Sequence, residues 1–166
     1  MPKLIVLRGN SGSGKTSAAI ALQERFGPNT MRVSHDMVRM EILHVWSRLG
    51  VEKSLPLMAE LLEYGHENSE VTILEGILPA EDYAPLFRRA LELFGRENVF
   101  AYYYDLPFEE TLRRHGTKSG VSFGEEDMRR WWLEGDYLPV LEETRLTPEL
   151  SLEEAVELIY RQAGGN

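Results

Sequence analysis

The chain predicts an α/β domain, a parallel sheet with helices on both faces, on three observations. Short apolar runs that end in polar residues or glycine alternate with helix-length amphipathic stretches. Residues 9–16 read Gly-Asn-Ser-Gly-Ser-Gly-Lys-Thr, a G-x-x-x-x-G-K-T loop set between an apolar run and a helix-forming one. The 166 residues suffice for one domain, 1–166, with a sizeable core.

The elements follow in order. Lys3 to Leu7 is the first strand, and a helix leaves the loop and runs to about Phe26, where Gly27-Pro28-Asn29 stops it. Met31 to Ser34 is a short strand. Asp36 opens a helix through Met37, Met40, Ile42, Leu43, Val45 and Trp46 that ends near Gly50, and a second helix covers about Glu52 to His66. Val71 to Leu74 is a buried-strand pattern that ends at Glu75-Gly76. Tyr83 to Phe94 is helical and closes at Gly95. Val99 to Tyr104 is a strand ending at Asp105, with Tyr102, Tyr103 and Tyr104 read as strand residues on alternating faces. Pro107 suits the first turn of a helix over Phe108 to His115. Gly116 to Gly124 reads as a mobile loop, followed by a helix over about Glu125 to Leu133. Trp131 and Trp132 are adjacent there, so one is expected in the core and the other outside. Ser151-Leu152-Glu153-Glu154 is a capping box that opens a last helix to about Ala163.

Composition narrows the chemistry. There are no cysteines, which excludes disulfides and thiolate catalysis, and the four histidines lack metal-ligand spacing. No stretch has the length of a membrane span, and Lys3 leads straight into a strand, so the cytoplasm is the expected location. The net charge of −9 argues against a general nucleic-acid binder.

In such sheets ligands bind at the carboxyl ends of the strands. That rule gathers the loop, His35-Asp36, Glu75-Gly76 and Asp105 at one rim. The loop residues Gly9, Asn10, Ser11, Gly12, Ser13, Gly14, Lys15, Thr16 and Ser17 are the expected triphosphate cradle. In it Lys15 reaches the β- and γ-phosphates and Thr16 holds Mg²⁺. Asp36 is placed to accept a proton from an attacking hydroxyl, or else to cap a helix. Arg39, three residues on, is placed to hold a phosphate or orient the acceptor, or else to face solvent. Glu75 is placed to hold Mg²⁺ through water or to contact the acceptor, or else is a solvated acid at the sheet's rim, and Asp105 equally suits turn chemistry. Arg113, Arg114, Lys118, Arg129 and Arg130 cluster around a segment, about 113–133, that reads as a closing lid. His35 reads as a packing residue, not a base.

Four segments carry a resemblance: 8–16 around the loop, Asp36-Met37-Val38-Arg39, Ile73-Leu74-Glu75-Gly76, and 105–115. On them the chain resembles the P-loop (Walker A) kinase superfamily, in particular the group of polynucleotide 5′-hydroxyl kinase, gluconate kinase, chloramphenicol phosphotransferase and zeta-toxin-like kinases. The resemblance implies a three-layer α/β/α fold, a five-stranded parallel sheet of order 2-3-1-4-5, and a lid after the fourth strand. It implies ATP and Mg²⁺ as cofactors, Asp36 as general base, Arg39 near the acceptor, and Arg113 or Arg114 on the donor phosphates. The function so implied is an ATP-dependent kinase acting on a hydroxyl of a small molecule or nucleoside. A polynucleotide 5′-hydroxyl kinase and a nucleotide-binding module without phosphotransfer are the alternatives. A regulatory GTPase is disfavoured, because Asn-Lys-x-Asp and Asp-x-x-Gly motifs are absent.

Overall fold

The computed structural model describes residues 1–164. Its sheet has five parallel strands in the order β2-β3-β1-β4-β5, as the resemblance implies. They are β1 (Lys3–Gly9), β2 (Thr30–Ser34), β3 (Val71–Gly76), β4 (Val99–Tyr104) and β5 (Thr144–Leu146). The helices are α1 (Lys15–Phe26), α2 (Ser47–Asn68), α3 (Ala80–Phe94), α4 (Phe108–His115), α5 (Glu125–Trp131) and α6 (Leu152–Gln162).

Strand alternation builds the layers. Leu4 and Val6 of β1 pack with Met58 and Leu62 of α2 and with Tyr83, Leu86 and Phe87 of α3. Ile5 and Leu7 turn the other way, onto Ala18, Ala19 and Leu22 of α1 and Val156 and Ile159 of α6. The central strand is therefore apolar on both faces, and it delivers its carboxyl end to the loop at 9–14.

Two expectations about elements need correction. The helix from Asp36 to Gly50 is instead a single π-helical stretch, Met37–Ile42. Leu43 N donates to Val38 O at 3.0 Å and Val45 N to Arg39 O at 2.9 Å. In an α-helix residues five apart diverge by about 140°; the wider turn brings both Val38 and Leu43 to the core. The chain then turns through His44 (φ 54°) and Ser47 (φ 55°), and α2 starts at Ser47 and runs through Gly50. The tryptophans also depart from expectation, since neither is in the core. Trp131 is exposed and Trp132 is half-buried, edge-on to Phe108 at 5.4 Å. The short α5 has one inward residue, and it is Met128. The three-residue β5 had no sequence assignment of its own. Residues 116–124 form neither helix nor strand. Among the described residues no helix is long and apolar enough to cross a membrane.

One charged residue is part of the core. Arg8 follows Leu4 and Val6 on the α2/α3 face and is fully buried. Its Nη1 meets Glu143 Oε1 at 2.6 Å, its Nη2 meets Asp136 Oδ2 at 2.8 Å, and its Nε donates to Leu78 O at 3.1 Å. Phe87 and Tyr103 lie 5.5 and 5.6 Å from the guanidinium. Glu143 also accepts from Leu138 N at 2.7 Å, and Asp136 from Ala80 N at 3.0 Å at the start of α3. A buried charge left without its counter-charge is strongly destabilising. Glu143→Ala is therefore expected to cost about 3 kcal/mol of unfolding free energy, measured by urea denaturation. A change under about 0.5 kcal/mol, the range of ordinary surface substitutions, would show that Asp136 alone satisfies Arg8.

Candidate active site

The loop between β1 and α1 is held in shape by close backbone approach. Gly12 has φ +80°, and a Cβ there would lie 2.6 Å from Thr111 O of α4 and 2.9 Å from Met128 Cε of α5. Only glycine fits. The Asn10 amide pairs with Leu133 on both sides: Nδ2 donates to Leu133 O at 2.8 Å, and Leu133 N donates to Oδ1 at 2.8 Å. The far end of the segment 113–133 is thereby tied to the loop.

Lys15 is buried and donates to Asn10 O at 2.7 Å, as does Ser13 Oγ at 2.5 Å. Burial pushes its ammonium down from 10.5 to about 8, against the opposing pull of Glu75 and Asp36. Thr16 Oγ1 donates to Glu75 Oε1 at 3.1 Å, and Glu75 is buried at the end of β3. These two oxygens sit side by side, where β3 lies next to β1.

The expected lid cations separate into two sets. Arg114 Nη1 donates to Ser13 O at 2.8 Å while its Nε holds Glu110 at 2.8 Å, so it already touches the loop. Arg113 is exposed and forks onto Glu110 through two donors, at 2.7 and 2.9 Å. Arg129 and Arg130 pair with Glu125 and Asp127 of their own helix. A cavity of about 550 Å³ opens beside the loop, lined by Ser13, Gly14, Tyr104, Arg114, Lys118 and the segment 146–152. Neither tryptophan lines it. Residues 147–151 were missed because β5 was; the strand-end rule would have pointed to them.

On the other side of the loop, Asp36 is exposed at the end of β2. Its Oδ1 accepts from Arg39 Nη2 at 3.2 Å, and among the described residues Oδ2 has no partner. Arg39 is mostly covered, with its Nε buried and unpartnered. Behind Asp36, His35 is buried, as a packing role requires. Its Nε2 lies 2.6 Å from Tyr83 Oη, which lies 2.9 Å from Ser54 Oγ, which donates to Val51 O at 3.4 Å. The terminal carbonyl can only accept, so the donors run His35, Tyr83, Ser54, and the proton of neutral His35 is on Nε2. Burial, then the nearby Arg39, pulls the imidazole down to about 4. This chain links β2, α2 and α3, and spacing alone gave no sign of it.

Among the described residues no group of three or more His, Cys, Asp and Glu is placed to hold a metal ion. Thr16 and Glu75 together offer one hydroxyl and one carboxylate. Such a pair suits a cation that keeps its waters and arrives with phosphate oxygens, as Mg²⁺ does.

No family model matches the chain, and no curated protein matches it in sequence. Solved structures do match. A gluconokinase from Sinorhizobium meliloti 1021 superposes with a TM-score of 0.70 at 17% identity, over 98% of this chain and 91% of that one. The APS kinase of Mycobacterium tuberculosis, in complex with AMPPNP and APS, gives 0.70 at 18% identity, over 97% and 96%. The tunicamycin resistance protein of Deinococcus radiodurans gives 0.66 at 19% identity, over 100% and 98%. The fold is that of the P-loop kinases, along essentially the whole chain.

Removing the Tyr83 hydroxyl leaves His35 Nε2–H and Ser54 without their buried partner. Tyr83→Phe is expected to lower stability by about 1–3 kcal/mol in urea denaturation at neutral pH. Loss near zero would show that the three side chains do not form one buried chain. His35 carries the opposite sign from a paired histidine. Its folded value lies below 6.5, so the unfolded chain binds the extra proton, and its contribution is lost as pH falls from 6.5 towards 4.

Proposed function

We propose that the chain is an ATP-dependent kinase that transfers the γ-phosphate to a hydroxyl of a small molecule or nucleoside. The observation that carries this reading is the pairing of two half-sites on one sheet rim. Lys15 and the Thr16–Glu75 pair lie in or beside the phosphate loop, and the Asp36–Arg39 pair lies at the neighbouring strand end.

The chemistry follows from the groups. The loop amides and the start of α1 bind the phosphates. Lys15, brought out of its bond to Asn10 O, neutralises charge on the transferring group, and Arg114 adds a second cation from the lid side. Thr16 and Glu75 would hold Mg²⁺, which would supply positive charge to offset that of the phosphates. Asp36 takes the acceptor's proton on its unpartnered oxygen, and Arg39 orients the carboxylate and the acceptor. Arg113, Lys118 and the cavity lined by 146–152 are assigned to the nucleotide side. The acidic net charge of −9 favours a small acceptor over a polynucleotide 5′-end.

A screen with γ-labelled ATP over nucleosides, sugars, antibiotics and 5′-hydroxyl oligonucleotides tests the reading. Label on a small alcohol supports it; label only in free phosphate overturns it. Asp36→Asn is expected to lower transfer by about 10²–10⁴-fold with nucleotide affinity unchanged. Lys15→Ala is expected to abolish tight binding of ATP·Mg²⁺, read by calorimetry.

Lys15 also makes binding depend on pH. Phosphate beside the ammonium draws its pKa back up from about 8, so nucleotide binding takes up protons above that pH and weakens as pH rises. Calorimetry at pH 8.5 in two buffers of different ionisation enthalpy measures the uptake. Equal apparent enthalpies in both would remove Lys15 from the phosphate site. In the free protein the same depression means that the folded chain holds fewer protons than the unfolded one between about 8 and 10.5. Stability contributed by this residue therefore rises with pH across that window.

A further inference from the structure

Arg114 touches the phosphate loop, and one acid of its own helix holds it. Glu110 stands a turn earlier on α4, at the i, i+4 spacing that suits a carboxylate ahead of a cation. Its Oε1 accepts from Arg114 Nε at 2.8 Å and from Arg113 Nη2 at 2.7 Å, and its Oε2 accepts from Arg113 Nε at 2.9 Å. One carboxylate thus takes three charge-assisted bonds from two guanidiniums. Its side chain is 17% exposed, against 51% for Glu125, the partner of Arg129, so the pairing is not a solvated surface contact of the ordinary kind. Hydrogen bonds from Arg113 and then Arg114 hold its carboxyl down at about 2, and it is ionised throughout the neutral range.

The turn that carries this pair is seated on the loop. Thr111 is fully buried, and its carbonyl lies against Gly12. Arg114 Nη1 donates to Ser13 O at 2.8 Å and stands 3.7 Å from where a Cβ on Gly14 would lie. The guanidinium is therefore fixed at two points, to its own helix and to the loop, just before α1 starts at Lys15. Its remaining N–H groups carry no partner among the described residues, and its side chain lines the cavity of about 550 Å³ together with Ser13 and Gly14. A planar guanidinium with donors to spare, beside loop amides and a helix start, suits phosphate oxygens. An arginine that is already held gives up less rotamer freedom when an anion arrives. Glu110 itself bonds only to the two arginines, so whatever it does at the loop it does through them.

We propose that Glu110 is a positioning residue for the donor phosphates. It holds Arg114 against the loop in the orientation in which the remaining donors of the guanidinium meet the nucleotide. The proposal rests on the kinase reading and names the residue that prepares its donor side.

Charge alone predicts the opposite effect. Glu110 is a negative group near the place of a polyphosphate, and taking it away would by itself strengthen binding. Positioning predicts weaker binding, so the sign of the change decides between them. Calorimetry with AMPPNP·Mg²⁺ on the wild-type chain, Glu110→Ala, Glu110→Gln, Arg114→Ala and the double variant Glu110→Ala/Arg114→Ala makes the test. Glu110→Ala is expected to weaken binding about tenfold. Glu110→Gln, whose amide oxygen can still accept from Arg114 Nε, is expected to lose less. In the Arg114→Ala background, Glu110→Ala is expected to cause no further weakening, which general damage to the fold would not reproduce.

Unchanged or tighter binding by Glu110→Ala overturns the proposal; tighter binding would show that Glu110 withholds Arg114 from the nucleotide. Equal weakening with and without Arg114 overturns it as well, because Glu110 would then act by another route. Both results leave the kinase reading standing. If Arg114→Ala binds AMPPNP as the wild type does, Arg114 leaves the phosphate site and the proposal falls, while Lys15, Thr16 and Asp36 keep their parts. No binding of AMPPNP by the wild-type chain removes the proposal and the kinase reading together.

Discussion

A single buried guanidinium organises the ground under the phosphate loop. Arg8 is the last core-facing residue of the central strand, one position before the loop begins, and water does not reach it. It draws in three partners that are far from it in sequence: the carbonyl of Leu78, the carboxylate of Asp136 and the carboxylate of Glu143. Desolvating a charge is costly, so the arrangement holds only while all three stay in place. Leu78 itself has φ 44°, in the left-handed region, and Arg8 binds its carbonyl. One residue thus fixes how the chain leaves β3, where the segment 136–143 lies, and how α3 starts.

The loop is built on that base. Asn10 adds a two-sided bond to Leu133, and Gly12 lies under α4 and α5 with no space for a side chain. The loop is therefore braced from beneath and crossed by α4, α5 and Leu133. The opposite half-site is built differently. Asp36 precedes and Arg39 stands on a π-helical stretch followed by a strained turn, with a neutral hydrogen-bonded chain of His35, Tyr83 and Ser54 behind them. The two halves of the candidate site are joined through β2, β3 and β1, which lie side by side.

Most of the architecture was legible from the sequence, because each device that specifies it is local. The apolar runs mark four strands, the glycine loop marks the turn from β1 to α1, and the Ser151–Glu154 capping box marks the start of α6. What escaped is non-local. The β5 strand has three residues and is a strand only because β4 lies beside it. The turn at 43–46 is set by Val45 reaching the Arg39 carbonyl and by Leu43 reaching the core, neither of which periodicity reports. Arg8 left a trace that could have been followed: a charge at the third position of an inward-facing Leu-x-Val-x-Arg series in a central strand must be paired. Its partners, 128 and 135 residues away, could not have been read from spacing. The candidate site divides in the same way. Lys15, Thr16 and the Asp36–Arg39 pair follow from motif spacing, while the choice between Arg113 and Arg114 as the residue that touches the loop needed the orientation of α4.

The segment from Arg114 to Leu133 meets the loop at both ends, through Arg114 on Ser13 and Leu133 on Asn10, and these two anchor points are three residues apart. The intervening chain is thus a closed ring hung from one short stretch of backbone, whose span does not depend on how many residues make up the ring. Doubling the length of such a ring adds only about 0.6 kcal/mol of closure cost. Insertions between 116 and 124 would change how far this segment reaches without disturbing where it is fastened, so this is the part of the molecule most open to being lengthened or exchanged as a cassette.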